Sequence, residues 1–391
     1  MNDRRSSAPA RSDPRQALAR ARRVIVKLGT GVLTTPAGAF DRDRFDALCA
    51  GLARVASERE LVVVSSGAIA LGVEKLGLRA RPTEIPMKQA AAAVGQSRLM
   101  RLFDDVLGAR GLTVAQVLLT HGDVQSRTRY LNARHALERL LERQVIPVIN
   151  ENDTVSVEEI KFGDNDTLAG MAVDLIGADL LVVLTDIDGV YTADPRLDPA
   201  AVKLDELDGI DERMLQSAGE SLSGLGTGGM ASKLRAARRA GESGVATLIA
   251  PGRQERVLER AFEGEPVGTL VTAPAGRGTG RQRWIARDLK PGGELRVDDG
   301  ASRALVDHHK SLLPSGIREV RGTFDQGEAV EVRDLAGRAI ARGLSGYSSD
   351  DLKRIAGRRS SEIESILGYK YFDEAVHKDD LVLVTESGNG G

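Results

Sequence analysis

Asn150-Glu-Asn-Asp153 and Gly163-Asp-Asn-Asp166 are the two polar motifs on which the interpretation of this fold depends. They follow an apolar run, Val145-Ile-Pro-Val-Ile149, which predicts a buried strand that ends at Asn150. The two motifs together place seven carboxylate or amide side chains within seventeen positions. Ligands of open α/β sheets bind outside the carboxyl ends of the strands, so this cluster is a candidate binding site. Short polar side chains also form turns and cap helices, and that alternative stays open at this point.

The composition is typical of a globular protein with more than one domain. The chain has 391 residues, of which 28% are charged and 41% are apolar. No apolar run approaches the roughly 18 residues of a membrane span. A net charge of -2 argues against a protein that coats nucleic acid or a membrane surface. The single cysteine, Cys49, cannot form an internal disulfide, and a reducing, cytoplasmic location is expected.

The first 23 residues are predicted to form a disordered tail. They hold seven arginines against two aspartates, with Pro9 and Pro14 and no apolar core. The segment has no apolar stretch of the kind found in signal peptides. An arginine-rich targeting peptide is the alternative interpretation.

From residue 24 to residue 271, short apolar runs alternate with helical patterns. The predicted strands are 24–28, 61–64, 113–119, 145–149, 180–184, 245–249 and 268–271, and the predicted helices are 42–59, 87–109, 126–143, 167–176 and 231–240. This alternation predicts an α/β domain, an open αβα sandwich with a mainly parallel sheet. Beyond residue 288 the predicted strands are short and separated by turns, which indicates a second, mostly β domain.

Two lysine-containing segments are candidate anion sites. Lys27 lies in a predicted buried strand just before Gly29-Thr-Gly31, where a lysine is costly unless its ammonium reaches the strand end or meets an anion. The glycine-rich stretch Ser223–Met230 leads into a helix that carries Lys233, an arrangement that suits phosphate. A lysine beside a tight turn and a common glycine loop are the simpler alternatives.

The chemistry that these segments favour is phosphoryl transfer. Ser65-Ser-Gly-Ala68 adds a hydroxyl and free N–H groups at the end of another predicted strand. His121 and His135 lie apart, and no metal-ligand histidine cluster stands out. Phosphoryl transfer depends mainly on positioning and charge neutralisation, which two ammonium groups supply. A carboxylate acceptor, with a pKa of about 4.3, needs no general base at neutral pH.

Six stretches of the chain, in order, resemble the amino acid kinase family, and within it the bacterial enzymes that phosphorylate glutamate. They are Val24–Thr30, Ser65–Ala68, Asn150–Asp153, Gly163–Asp166, Thr185–Pro195 and Gly228–Lys233. The segments Gly293–Ala301 and Leu312–Ile317 resemble a PUA domain. The resemblance implies an amino acid kinase fold at residues 24–272, a linker at 273–287 and a small, mostly β PUA-like domain at 288–386.

The resemblance also implies a role for individual residues. Lys27 and Lys233 would contact the phosphates of ATP, with Asp166 holding both lysines in place. Glutamate would be bound by Ser66, Asp153 and Asn165, and the nucleotide also by Thr185, Asp186, Thr227, Gly228, Gly229, Met230, Ala231 and Ser232. Mg²⁺ would arrive with ATP and be held chiefly by phosphates and water. Gly31 and Ile187-Asp188 depart from the commonest family pattern, and neither is an inferred contact.

The implied reaction is ATP-dependent phosphorylation of the γ-carboxylate of L-glutamate to L-glutamyl 5-phosphate, the first step of proline biosynthesis. The resemblance further implies feedback inhibition by proline, a homodimer or homotetramer and handover of the product to glutamyl phosphate reductase. Another amino acid kinase, acting on acetylglutamate or aspartate, is one alternative. An RNA-binding protein is another, but residues 289–384 carry 15 Lys+Arg against 17 Asp+Glu, the wrong balance for a phosphate backbone. The PUA-like domain is therefore expected to regulate the kinase or to be vestigial.

Overall fold

A computed structural model describes residues 14–156, 165–220, 229–273 and 290–384. The chain divides into two compact units. The first unit comprises Met1–Val124 and Ala133–Gly276, and the second comprises Gln125–Asn132 and Arg277–Gly391. None of the helices in the described ranges is long and apolar enough to cross a membrane.

The first unit is built on an eight-stranded sheet in the order β3-β4-β2-β1-β5-β9-β10-β8. Its strands are β1 (Arg23–Leu28), β2 (Glu60–Ser65), β3 (Val114–Leu119), β4 (Ile146–Glu151), β5 (Leu180–Thr185), β8 (Glu206–Asp208), β9 (Ala246–Pro251) and β10 (Thr269–Thr272). β1 pairs in parallel with β2 on one side and with β5 on the other. β10 runs antiparallel to β9. The other strand pairs described in this sheet are parallel, so the prediction of a mainly parallel sheet is confirmed. A separate hairpin joins β6 (Val190–Tyr191) to β7 (Lys203–Leu204).

Helices connect these strands and cover the sheet. They are α1 (Gln16–Arg20), α2 (Thr30–Leu33), α3 (Arg42–Ala56), α4 (Ala68–Lys75), α5 (Ile85–Gly108), α6 (His121–Gln125), α7 (Arg127–Glu142), α8 (Asn165–Ile176), α9 (Glu212–Glu220), α10 (Met230–Glu242) and α11 (Val257–Phe262). The apolar face predicted for α3 is buried, with Phe45, Cys49 and Leu52 fully enclosed. A packed apolar face of this kind contributes most of the stability of a helix.

The chain reverses direction across the sheet at β1. From β1 it passes to β2 on one side, and after β4 it crosses to β5 on the other side. Such a switch point leaves a crevice at the carboxyl ends of the central strands, where α/β proteins bind their ligands. A ligand-binding site is therefore expected at the carboxyl ends of β1, β2, β4 and β5.

Three segments differ from the sequence-based expectation. The tail predicted for residues 1–23 is ordered from residue 14 on, because Leu18 is buried and Arg15 donates hydrogen bonds to the carbonyl oxygens of Glu265 and Val267, at 3.2 and 3.1 Å. Residues 1–13 lie outside the described ranges, as do residues 274–289, which contain nearly all of the predicted linker. The helix predicted at 126–143 is α7, and the short helix α6 that precedes it was not predicted. The fourth strand continues to Glu151, which places Asn150 inside the sheet.

The second unit has a five-stranded sheet in the order β12-β11-β13-β14-β15. Its elements are β11 (Gly293–Val297), α12 (Asp299–Val306), β12 (Ile317–Gly322), β13 (Ala329–Arg333), β14 (Ala339–Leu344), α13 (Ser349–Ile355), α14 (Ile363–Leu367) and β15 (Leu381–Leu383). Tyr347 is buried in its core, and its hydroxyl donates to the carbonyl oxygen of Phe372 at 2.6 Å. β12 was not predicted, because it is an edge strand with the exposed polar side chains Arg318, Glu319 and Arg321.

Helices α4 and α5 cross in backbone contact at two glycines. A Cβ atom on Gly72 would lie 1.8 Å from the carbonyl oxygen of Ala91, and one on Gly95 would lie 1.7 Å from that of Ala68. Side chains cannot fit at either position without separating the helices. The crossing also fixes the neighbouring residue, Gln96, whose side chain is buried.

We expect Gly95→Ala to destabilise the first unit by about 3 kcal/mol or more, because the added methyl group overlaps backbone atoms that cannot move independently. The measurement is the midpoint of thermal unfolding, which should fall by roughly 5 °C or more. Gly108→Ala is the matched control, because Gly108 ends the same helix and the nearest atom to its added Cβ is 4.0 Å away. Equal midpoints for the two variants would contradict the close crossing.

Candidate active site

Asp166 lies at the centre of a buried ionic cluster. It is in the first turn of α8, its side chain is fully buried, and one carboxylate oxygen forms an ion pair with Lys27. The other oxygen accepts hydrogen bonds from Lys233 Nζ at 3.1 Å and from Ser232 Oγ at 2.8 Å. The sequence motif that contains Asp166 is thus joined to both candidate lysines.

Three elements that are distant in sequence bring this cluster together. Lys27 lies near the end of β1, and Lys233 lies in the first turn of α10. Helices α8 and α10 pack closely, since a Cβ on Gly170 would lie 3.2 Å from the carbonyl oxygen of Ala236. This packing holds Asp166 beside Lys233.

The electrostatics of the cluster favour an anion. Burial alone would raise the pKa of Asp166, but the charges of Lys27 and Lys233 and the hydrogen bonds from Lys27 and Ser232 hold it below its usual value. Asp166 is therefore ionised at neutral pH, and the three charged side chains sum to one positive charge. The start of α10 adds the positive end of a helix dipole beside Gly229, whose Cβ position is open space.

A second group of polar side chains lies on the β2–β4 side of the cluster. The Asn165 side-chain nitrogen donates to the carbonyl oxygen of Ser65 at 3.1 Å, to Ser66 Oγ at 3.0 Å and to Asn150 Oδ1 at 2.9 Å. Asn150 in turn donates to Gln96 Oε1 at 2.8 Å. Asn150 is thus joined by a hydrogen bond to the predicted substrate-binding residue Asn165, although sequence reasoning assigned Asn150 no role.

Asp153 lies in a turn that follows β4, three residues after Asn150. Burial raises the pKa of Asp153 to about 6, with the charge of Arg81 lowering it in part. A carboxyl group with that pKa changes its protonation state close to neutral pH. A cationic ligand would stabilise its charged form. The structure does not link Asp153 to Ser66 or Asn165 by a described hydrogen bond.

The loop after β1 forms the other side of the site. The Gly29 N–H donates to the carbonyl oxygen of Leu184 on β5, and a Cβ on Gly31 would lie 2.9 Å from Asp186 Oδ2. A side chain at position 31 would therefore require the exposed Asp186 side chain to turn away. Arg253 holds the loop by donating to the carbonyl oxygens of Gly31 and Thr34, at 2.8 and 2.6 Å.

The predicted nucleotide-binding residues lie partly within the described ranges. Thr185 is buried at the end of β5 and donates to Asp186 Oδ1 at 3.1 Å, while Asp186 itself is exposed. Met230 and Ala231 are half-buried at the start of α10. Thr227 and Gly228 lie outside the described residues. Thr185 ends the strand that pairs with β1, and Met230 and Ala231 open the helix that carries Lys233.

Sequence reasoning missed Gln96 and Arg253. Gln96 sits in a helical pattern with the appearance of an ordinary core-facing position, and Arg253 follows β9 without a motif. Their contacts span 54 and 222 residues of sequence. The one sequence signal that could have identified Gln96 is a polar residue on the apolar side of a predicted helix.

The donor set of the site suits a cation that arrives with a polyphosphate. Within the described ranges there is no group of three or more histidine, cysteine or acidic side chains that could hold a metal ion. Both oxygens of Asp166 already face Lys27, Lys233 and Ser232. Mg²⁺ commonly takes most of its ligands from phosphates and water, which this arrangement allows.

Comparison with known proteins places the chain in a family. The amino acid kinase family matches residues 22–250, and the PUA domain matches residues 293–367. A glutamate 5-kinase of Myxococcus xanthus is 53% identical over 373 residues, covering 95% of this chain and 99% of its own. Those of Geobacter sp. strain M21 and Anaeromyxobacter dehalogenans are each 49% identical, covering 95% of this chain and 100% and 98% of their own. The chain therefore belongs to the amino acid kinase family and carries a PUA domain.

Proposed function

We propose that this protein transfers the γ-phosphoryl group of ATP to the γ-carboxylate of L-glutamate, forming L-glutamyl 5-phosphate for proline biosynthesis. The observation that carries the proposal is the buried Lys27–Asp166–Lys233 cluster next to the amide group of Asn165. The glutamate 5-kinases that match 95% of the chain support the same reaction.

The lysine side of the site is the proposed donor half. Lys27 and Lys233 contact the phosphates of ATP, and the first turn of α10, from Gly229 through Ser232, supplies N–H groups. Thr185 and Asp186 contact the nucleotide from the end of β5. Thr227 and Gly228 are proposed to complete this loop.

The amide side of the site is the proposed acceptor half. Asp153 binds the α-ammonium of glutamate as a carboxylate, while Ser66 and Asn165 bind further polar groups of the amino acid. The strand order supports this division, since the proposed acceptor residues follow β2 and β4 and the proposed donor residues lie on β1 and at the end of β5 and the start of α10.

The chemistry needs no base from the protein. A γ-carboxylate oxygen of glutamate attacks the γ-phosphorus of ATP, a new P–O bond forms, and the bond to the bridging oxygen breaks to release ADP. The carboxylate is already ionised at neutral pH, so no proton has to leave. Lys27 and Lys233 stabilise the charge on the transferring group, and Asp166 holds their ammonium groups in position. Mg²⁺ bound with ATP would neutralise further phosphate charge.

The wider setting of the enzyme is also a proposal. We place the catalytic domain at residues 24–272, the linker at 273–287 and the PUA-like domain at 288–386. The enzyme acts in the cytoplasm as a homodimer or homotetramer, is inhibited by proline, and passes its unstable product to glutamyl phosphate reductase. The PUA-like domain regulates the kinase or is vestigial.

RNA binding is not the favoured function of the second unit. Arg296, Arg321 and Arg333 on its sheet each lie within 4.0 Å of Glu294. Arg342 similarly pairs with Glu331 at 3.4 Å. Arginines that are already paired with carboxylates offer little charge to a phosphate backbone.

The proposed function is tested by trapping the acyl phosphate with hydroxylamine. Purified protein with ATP, Mg²⁺ and L-glutamate should form γ-glutamyl hydroxamate and ADP in step, and proline should reduce the rate. Equal turnover of N-acetylglutamate or aspartate would overturn the substrate assignment. If proline did not change the rate of hydroxamate formation, only the proposal of feedback inhibition would be overturned.

Lys233→Met should lower turnover by about a thousandfold or more, because one of the two charges that stabilise the transferring phosphoryl group is lost. Asp166 keeps its contacts with Lys27 and Ser232, so the thermal midpoint should change little. Lys75→Met, at the exposed end of α4, is the control and should retain normal turnover. Retention of more than a tenth of the activity in Lys233→Met would contradict this role.

The KM for glutamate should rise as the pH falls through about 6, because protonation removes the negative charge of Asp153. Asp153→Asn should raise the KM at pH 8 by roughly tenfold or more and abolish this pH dependence. The KM for ATP, measured alongside, separates this effect from titration of the nucleotide. Unchanged glutamate saturation in Asp153→Asn would show that the amino acid lies elsewhere.

Asp153→Asn should also stabilise the folded protein at pH 8 without ligand. The pKa of Asp153 is raised in the folded state, so ionisation above pH 6 destabilises the fold, and protonation removes that penalty as the pH falls toward about 4. The gain in thermal midpoint over wild type should therefore shrink between pH 6 and pH 4. If the difference in thermal midpoint between variant and wild type stayed constant from pH 6 to pH 4, titration of Asp153 would be excluded as its cause.

A further inference from the structure

Thr269 is a fully buried threonine whose hydroxyl joins β10 to both strands of the β6–β7 hairpin. Its oxygen accepts a hydrogen bond from the backbone N–H of Val190 at 2.8 Å, and it donates one to the carbonyl oxygen of Leu204 at 2.5 Å. Val190 and Leu204 face each other in the hairpin, so the hydroxyl connects an N–H and a carbonyl that could otherwise bond to each other. These two hydrogen bonds therefore attach the hairpin to the sheet, and the hairpin does not need them for its own pairing.

The strand that carries Thr269 is itself fixed in the sheet. β10 pairs with β9, with Thr269 opposite Ile249, and β9 in turn pairs with β5. The backbones meet closely at the start of β10, since a Cβ on Gly268 would lie 2.1 Å from the carbonyl oxygen of Ile249. Backbone pairing therefore sets the position of the Thr269 hydroxyl relative to β5.

The hairpin is connected directly to the proposed nucleotide contacts. The segment 186–189 joins Thr185, at the end of β5, to Val190 at the start of the hairpin. At one end, the Gly252 N–H donates to the carbonyl oxygen of Thr185 at 2.7 Å, and at the other end Val190 is bound by Thr269. Both ends of this short segment are thus attached to strands of one sheet.

The connection between the two strands of the hairpin returns toward Asp186. Arg196, in this connection, pairs with Asp194, and its Nη2 atom lies 2.7 Å from Asp194 Oδ2. The pKa of Arg196 is raised by its hydrogen bonds with Asp194 and further by the charge of Asp186. The connection therefore lies within electrostatic range of one of the proposed nucleotide contacts.

We propose that Thr269 is a positioning residue for the nucleotide, because its hydroxyl fixes the place of the 186–189 segment and of the hairpin beside the donor half. The inference rests on the proposed function, in which Thr185 and Asp186 contact ATP. Thr269 acts through backbone groups of the hairpin. Glutamate, bound by residues that follow β2 and β4, does not depend on it.

The variant that tests this role is Thr269→Val, which keeps the shape of the side chain and removes the hydroxyl. The Val190 N–H and the Leu204 carbonyl can then bond to each other, so the hairpin persists but is no longer attached to β10. The dissociation constant of Mg²⁺-ATP, measured by calorimetry without glutamate, and the KM for ATP should each rise about tenfold. The KM for glutamate should change less than about twofold, because its proposed contacts lie elsewhere.

Thr247→Val is the matched control. Thr247 is also fully buried, on the neighbouring strand β9 opposite Val271, but its hydroxyl has no hydrogen-bond partner in the described part of the chain. The same substitution there should leave ATP binding unchanged and should not lower the thermal midpoint. Thr269→Ser keeps the hydroxyl and should retain ATP binding within about threefold of wild type.

Gly189→Ala tests the same contact from the side of the hairpin. Gly189 has a φ of +150°, and an added Cβ would lie 2.7 Å from Thr269 Oγ, so the start of the hairpin would have to move. This variant should also weaken ATP binding and leave the KM for glutamate unchanged. It keeps the inference testable if Thr269→Val fails to fold.

The outcomes distinguish this inference from the proposed function. If wild-type protein bound ATP but formed no γ-glutamyl hydroxamate, the proposed reaction would be overturned, while the dissociation constants for ATP would still test Thr269. ATP binding by Thr269→Val within about twofold of wild type, or equal weakening of ATP and glutamate, would overturn only the positioning role. Equal losses in Thr269→Ser and Thr269→Val would also overturn it, because packing of the side chain would then be the cause.

Discussion

The structure of the first unit depends on one buried carboxylate that faces two ammonium groups. Asp166 brings the end of β1 and the start of α10 to the same point, although Lys27 and Lys233 are more than two hundred positions apart in sequence. A buried ion pair of this kind is a weak source of stability, because desolvation offsets most of the attraction between the charges. The contribution of Asp166 here is to geometry, since it holds the two ammonium groups at a fixed separation. The surplus of one positive charge suits the arrangement to an anionic ligand.

The order of the strands in the sheet makes this arrangement possible, because polar strand ends lie on both sides of Lys27. Reversal of the strand order at β1 places the polar ends of β2 and β4 on one side of Lys27 and those of β5 on the other. An acceptor and a donor that approach from opposite sides meet above the strand that carries the lysine. A transfer between two bound substrates requires such an approach, because each must reach the same reacting atom without displacing the other.

Much of this organisation could be predicted from local patterns, and the remainder could not. Alternating apolar runs and helical patterns predicted the mainly parallel sheet, and the motif around Asp166 marked one element of the ionic cluster. The roles of Gln96 and Arg253 depend on contacts across 54 and 222 residues, which no local pattern encodes. The helix at Gln16–Arg20 was missed for a related reason: Arg15 is held by carbonyl groups near residue 265, and the arginine-rich sequence by itself is typical of a solvated tail. β12 was missed because an exposed edge strand carries no apolar period.

The glycine crossing of α4 and α5 has a consequence for how this enzyme can change over evolutionary time. Because Gly72 and Gly95 admit no side chain, the position of α5 relative to the end of β2 is effectively fixed. Gln96, next to one of these glycines, is then held beside Asn150 of β4. Descendants of this protein that accept a longer or bulkier acid would have to change the turn after β4, because α5 cannot move away from the end of β2.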